Sequence, residues 1–250
     1  MGLFLIALSS VSPSWWAEIE VIEMSDIFNA GYLPLHLLNI LVHVGFGTLA
    51  IVLGFAQFLT RKGGVAHAWI GRVYLAFYSI VVSTAVIGSI AFGFRAFLAA
   101  LTLSAAYWLI AGLRVLAIRN TGPKLLDNVV SWSFIAAAAT VFVVMRVIPE
   151  QSTPAANIAL VHLTLLCLYD LSRNLNGKAW LRRSWLNEHI YKMIGSHAAM
   201  ISAAGGNLFL ALQPWSIFVP PTLSLILIAG FIIRHKLPRP ARSTPVQKAG

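Results

Sequence analysis

Seven histidines stand in this chain. Six of them, His36, His43, His67, His162, His189 and His197, lie within or at the edge of apolar runs, and His235 sits in a basic tail. An imidazole in such a setting is costly unless it is hydrogen-bonded or does chemistry. Three chemistries suit it. Rings from two helices can hold a b-type haem without covalent attachment. Three rings can hold Zn²⁺ with a water position left open. A ring that titrates near neutral pH can pass a proton. The single cysteine, Cys167, excludes a disulfide framework, a Cys-x-x-Cys pair, a thiolate zinc site and Cys-x-x-Cys-His haem attachment. In its apolar run it reads as an inert packing residue. No glycine-rich phosphate loop is present, which argues against nucleotide-driven chemistry.

The elements that position these rings must be membrane helices. Of the 250 residues, 58% are hydrophobic and only 10% charged, with a mean hydropathy of +0.80; a soluble domain carries roughly 25% charged residues. A spanning helix needs about 20 mostly apolar residues, and about seven segments approach that length. They are roughly Leu33–Leu59, Ala66–Phe92, Ala96–Ile118, Val129–Ile148, Ala155–Leu171, Ile190–Leu212 and Ile217–Ile233. Pro220 and Pro221 suit the entry to the seventh, since proline is tolerated in a first helical turn. The expected fold class is all-α, a polytopic transmembrane helix bundle of about seven spans. Residues 1–31 form an outer interfacial segment, with Trp15 and Trp16 at headgroup depth. Residues 32–234 form the transmembrane domain, and 235–250 a basic cytoplasmic tail.

The net charge of +10 is placed by topology. Arg61, Lys62, Arg119, Lys124, Arg173, Lys178, Arg182, Arg183 and Lys192 fall around connectors on one side of a seven-span path, together with the basic tail. The other side carries Arg95 and Arg146 with Glu18, Glu20, Glu23, Asp26 and Glu150. The positive-inside rule then puts the N-terminus outside and the C-terminus in the cytoplasm, and charge so distributed does not describe a nucleic-acid surface. The longest inner connector is Ser172–Trp185, with a turn signal at Asn176-Gly177 and a composition suited to an anionic leaflet. No acidic residue falls deep in a predicted span, which weakens ion-coupled transport.

Periodicity sorts the polar residues into faces. His36, His43, Ala50 and Gln57 recur every seven residues and share one face of the first helix, flanked by Gly47 and Gly54. In the second helix His67, Gly71, Tyr74, Tyr78, Ala85 and Gly88 fall on one stripe, with Arg72 near the inner surface, where it can snorkel to phosphates. In the sixth, His189, Met193, Ser196, Met200 and Asn207 share a face, and His197 lies about 80° from His189. Glycine stripes admit a neighbouring helix or a flat cofactor. Depth along the axes pairs His43 with His162 in the outer half, and His67 with His189 or His197 at the inner end. Two levels of paired imidazoles suit two b-type haems stacked across a bilayer, with Arg72 available to a propionate.

The stretch His43–Tyr74, "HVGFGTLAIVLGFAQFLTRKGGVAHAWIGRVY", resembles a family of bacterial predicted integral-membrane proteins of unknown function. Its signature is a histidine, a glycine-rich apolar run, Gln-Phe, a basic turn and His-x-x-x-Gly-Arg-x-Tyr, matched here by His43, Gly47, Gly54, Gln57, Phe58, His67, Gly71, Arg72 and Tyr74. A later histidine followed by methionine is matched by His189 and Met193. The resemblance implies a multi-pass protein of a bacterial cytoplasmic (inner) membrane in which His43, His67 and His189 matter. It brings no activity, and His36, His162 and His197 fall outside it.

Three functions follow as expectations. The first is electron transport through haem b, with a quinone or a redox partner as donor or acceptor and membrane lipids as surroundings. Its ligands are His43, His162, His67 and His189 (or His197). The second is a zinc-dependent membrane hydrolase that draws its metal ligands from His43, His162, His67 and His189, with Glu188 or Asp170 as the carboxylate. Neither His-x-x-x-His nor His-Glu-x-x-His occurs, which ranks it lower. The third is a proton-relay or transport protein.

Overall fold

The computed structural model describes residues 34–236. The outer interfacial segment and nearly all of the basic tail lie outside them. Regular structure among the described residues is helical. Six α-helices occur: α1 (Pro34–Leu59), α2 (Val65–Ala91), α3 (Ala96–Ile118), α4 (Leu125–Val147), α5 (Pro154–Leu208) and α6 (Trp215–Lys236), with 3₁₀ turns at Pro149–Gln151 and Leu210–Leu212. Six segments are long and apolar enough to cross a membrane: α1, α2, α3, α4, the Pro154–Leu175 part of α5, and α6. Their outward faces carry exposed large apolar side chains, such as Leu35, Val52, Ile90, Leu165 and Ile226. Water does not tolerate such faces and lipid does, so these are the helices of an integral membrane protein.

The described residues divide into two compact units, one of residues 34–94 with 203–217 and one of residues 95–202 with 218–236. In the first, α1 and α2 form an antiparallel hairpin. The turn between them needs Gly63 at φ +75, a backbone conformation that only glycine enters at no steric cost. The predicted histidine stripe of α1 does face α2. Asn39 donates to the Thr84 carbonyl at 3.1 Å, His43 meets Val81 and Thr84, Ala50 is fully buried, and Gln57 bonds to the His67 carbonyl at 2.9 Å. The glycines serve this packing. A Cβ on Gly71 would stand 3.0 Å from Gln57 Nε2, one on Gly88 3.2 Å from Asn39 Nδ2, and one on Gly47 3.8 Å from Val81. The Gly47, Gly71 and Gly88 positions of the expected cofactor face are thus occupied by the neighbouring helix.

In the second unit, the small residues Ala96, Ala99, Ala100 and Ala111 of α3 sit in one core with Met145 of α4 and Leu163 of α5. Helix ends are closed by side chains. Gln151 accepts from the Ala96 N–H at 3.0 Å, Asp127 from the Lys124 N–H at 2.8 Å, and Thr153 from the Ala156 N–H at 3.1 Å. Asp127 also takes a two-pronged contact from Arg114, at 2.7 and 3.1 Å.

Three expectations are corrected here. The Ser172–Trp185 connector is helical throughout, and α5 is assigned as 55 continuous residues. A straight helix of that length would run roughly 80 Å, with Asp170 and Lys192 roughly 33 Å apart along it. Their side chains are 2.6 Å apart, so α5 doubles back between Arg173 and Glu188. The stretch that doubles back includes the Asn176-Gly177 turn signal. The predicted sixth span, Ile190–Leu212, is not a separate helix: it is the returning arm of α5, which runs to Leu208, with its continuation, and Lys192, His197 and Asn207 make it less apolar than the six segments above. Pro220 and Pro221 lie inside α6, past its first turn. The Ser216 carbonyl, which Pro220 has no N–H to bond, stands 2.6 Å from where a Cβ on Gly205 would be.

Candidate functional site

Two histidines of the first unit are anchored alike. His43 Nδ1 lies 2.9 Å from Thr84 Oγ1 and 3.1 Å from the Val81 carbonyl. Thr84 gives its own hydroxyl proton to the Ile80 and Val81 carbonyls, both at 2.9 Å, so its oxygen accepts from His43. The ring proton is thereby fixed on Nδ1. His67 repeats the logic: Nδ1 is 3.0 Å from Thr60 Oγ1, which donates to the Gln57 carbonyl at 2.9 Å. In both rings Nε2 keeps its lone pair, which is how a metal-binding histidine is held when its other nitrogen is tied to the protein. Gln57 closes the unit by bonding the backbone of His67 against Gly71. Gln57 and Gly71 thus hold His67 in place. His36 instead stacks on Phe92, with ring centroids 4.4 Å apart, and Arg72 is exposed on α2.

In the second unit His189 points Nδ1 at the Gly112 carbonyl over a long 3.4 Å. Its neighbour Met193 packs so closely that a Cβ on Gly112 would meet the sulfur at 2.8 Å. His162 is exposed, its ring 5.6 Å from that of Trp108; Tyr191 lies 4.9 Å from the same indole. His197 is buried. His43 and His67 therefore belong to one unit, and His162, His189 and His197 to the other.

A site that sequence reasoning missed lies where α5 turns back. Asp170 and Arg173 on the outgoing arm meet Glu188 and Lys192 on the returning arm. Lys192 Nζ is 2.6 Å from Asp170 Oδ1 and 3.1 Å from Glu188 Oε2. Arg173 bridges the same two carboxylates, at 2.9 Å to Asp170 and 3.0 Å to Glu188. Relative exposures are 4, 2, 4 and 0% for Asp170, Arg173, Glu188 and Lys192, so water takes little part. Tyr107 donates to Asp170 Oδ2 at 3.0 Å and contacts Ser131 Oγ at 2.8 Å. Glu188 Oε1 is buried and has no hydrogen-bond partner among the described residues.

No family model, curated protein or solved structure matches this chain.

The quartet is balanced, two carboxylates against two cations, and that balance makes four charges tolerable inside apolar helices. Asp170 and Glu188 flank the reversal in sequence, but they are enclosed by it. The available signal was the pair of short-range contacts: Asp170 with Arg173 three residues on, and Glu188 with Lys192 four residues on. Among the described residues, no three His, Cys, Asp or Glu side chains gather as a metal site would require.

Proposed function

We propose that this chain is a membrane redox protein that holds b-type haem through intramembrane histidines, with His43 and His67 as the candidate ligands of the first unit and His162, His189 and His197 as those of the second. The observation that carries this reading is the shared anchoring of His43 and His67, which leaves Nε2 of each ring as the atom able to ligate iron. Haem would supply one-electron chemistry. The chain would supply the ligands, fix the tautomers and exclude water. Exposed Arg72 suits a propionate or a lipid phosphate, and a quinone or a small redox partner suits the role of donor or acceptor.

Charge supports a bacterial inner-membrane orientation with the C-terminus inside. In the second unit the exposed cations Arg119, Lys124, Lys178, Arg182 and Arg183 belong to the α3–α4 turn and the middle of α5. Lys178 packs over Gly122 of that turn, and Arg119 lies 5.2 Å from the Trp185 ring. Asp127, Asp170 and Glu188 at this end are buried and engaged by cations. Glu150 is at the far end of α4, roughly 34 Å away by helix length. The cation-rich end of the α3–α4 turn suits the anionic cytoplasmic leaflet.

The test is the metal content of the full chain purified in detergent after expression with haem precursor. Iron with extractable haem b is the expected result. Zinc in its place would support the three-histidine hydrolase reading, and the absence of both would remove the cofactor proposal.

A further inference from the structure

The buried quartet is connected to something smaller and more polar than its surroundings. Between α3, α4 and the outgoing arm of α5 lies a cavity of about 10 Å³, lined by Tyr107, Arg114, Asp127, Ser131, Asp170 and Arg173 among others. That is room for a single water, and every one of these six side chains can hydrogen-bond to it. The Arg114 end opens outward, with that side chain 25% exposed, while Asp170 is enclosed.

The hydrogen bonds beyond the cavity have a direction. Tyr107 has one hydroxyl proton, and it is given to Asp170 Oδ2. The 2.8 Å contact between Tyr107 and Ser131 must therefore be donated by Ser131. This leaves the lone pairs of Ser131, which lines the cavity, to accept from whatever occupies it. The donor order is cavity, Ser131, Tyr107, Asp170. Behind Asp170 stand Lys192 and then Glu188, whose Oε1 is the open buried acceptor at the end of the row.

We propose that Ser131, Tyr107 and Asp170 form a proton-transfer path linking the water-sized cavity beside Arg114 and Asp127 to the buried Lys192 and Glu188. In the inward step a hydronium ion in the cavity gives its proton to Ser131 and is left as water. Ser131 passes its own proton to the Tyr107 oxygen, and Tyr107 passes its proton to Asp170 Oδ2. Each O–H bond breaks as the next one forms, and no electrons change hands. Asp170 becomes a neutral acid, and the quartet moves from zero charge to one positive charge. Lys192 then relies on Glu188 as its remaining carboxylate partner. The step needs no haem, and the path stands or falls separately from the redox reading.

A purely structural quartet would hold the same four ion pairs without using the Tyr107 hydroxyl, and this separates the two readings. Tyr107→Phe removes the hydroxyl and keeps the ring against Phe134, with every ion pair intact. Full-length protein labelled with ¹⁵N-lysine gives an ammonium signal for Lys192, assigned by its loss in Lys192→Arg. After transfer to D₂O, each uptake and release at Asp170 brings a solvent deuteron beside that ammonium. Exchange at Lys192 is expected to slow by about a hundredfold in Tyr107→Phe, the low end of what a positioned proton donor supplies. Ser131→Ala breaks the preceding link and should slow exchange similarly, which keeps the test open if the first variant does not fold. Exchange as fast as wild type in either folded variant would overturn the path, and so would a wild-type signal that persists as long as that of Tyr107→Phe.

Discussion

Replacing Lys192 with methionine is expected to lower folded stability by about 3–5 kcal/mol, the cost of breaking a buried ion network on one side only. Methionine matches the lysine stem, so packing changes little. The ammonium, however, is the partner of both Asp170 Oδ1 and Glu188 Oε2, and it is fully enclosed. Its loss leaves Arg173 alone between two carboxylates, with one uncompensated negative charge that water cannot reach. Adding Glu188→Gln restores the balance, because Asp170 and Arg173 remain paired at 2.9 Å. The double variant is therefore expected to recover most of the lost stability. Thermal unfolding in detergent micelles measures both. If the single and double variants unfold at the same temperature, charge balance is not what holds the site. The quartet also clasps the two arms of α5, so the single variant should be cut more readily by protease between residues 174 and 187.

The second large effect is expected at Gly195. A methyl group there would stand 2.6 Å from both Cη2 and Cζ3 of Trp108, far inside contact distance. Trp108 has little room to retreat, since its ring lies against Tyr191 and His162. Gly195→Ala should cost about 1–3 kcal/mol through overpacking, although alanine is the better helix former. Gly45 is the control. Nothing lies within 4 Å of a Cβ built there, so Gly45→Ala is expected to be neutral or to stabilise by about 0.4–1 kcal/mol. Equal unfolding temperatures for the two variants would show that Gly195 is not needed for the close approach of α5 to α3.

What the sequence disclosed follows from the range of the forces involved. The His36, His43, Ala50, Gln57 stripe was legible because helical periodicity puts those residues on one side, and one side must meet a neighbour. Most of α1, α2, α3 and α4 was legible for the same reason, as long apolar runs between turn signals. The reversal of α5 was only half legible. Asn176-Gly177 lies within the stretch where the two arms double back, but a turn signal does not disclose that the stretch is helical. The quartet was hidden because its charges look like ordinary connector charges. Arg173 and Lys192 count as topology signals when read along the chain, and only the fold-back turns them into buried partners of Asp170 and Glu188. Pro220 and Pro221 were misplaced because proline favours helix starts, whereas a membrane helix can keep it in the interior when other groups serve the freed carbonyls.

The reduced-minus-oxidised absorption spectrum of the full chain, purified in detergent after expression with haem precursor, tests the redox account most directly. The account predicts the Soret and alpha bands of six-coordinate b-type haem, with both bands clearly weakened when His67 is replaced by alanine and those of the His43 haem retained. A flat difference spectrum from folded protein would contradict it.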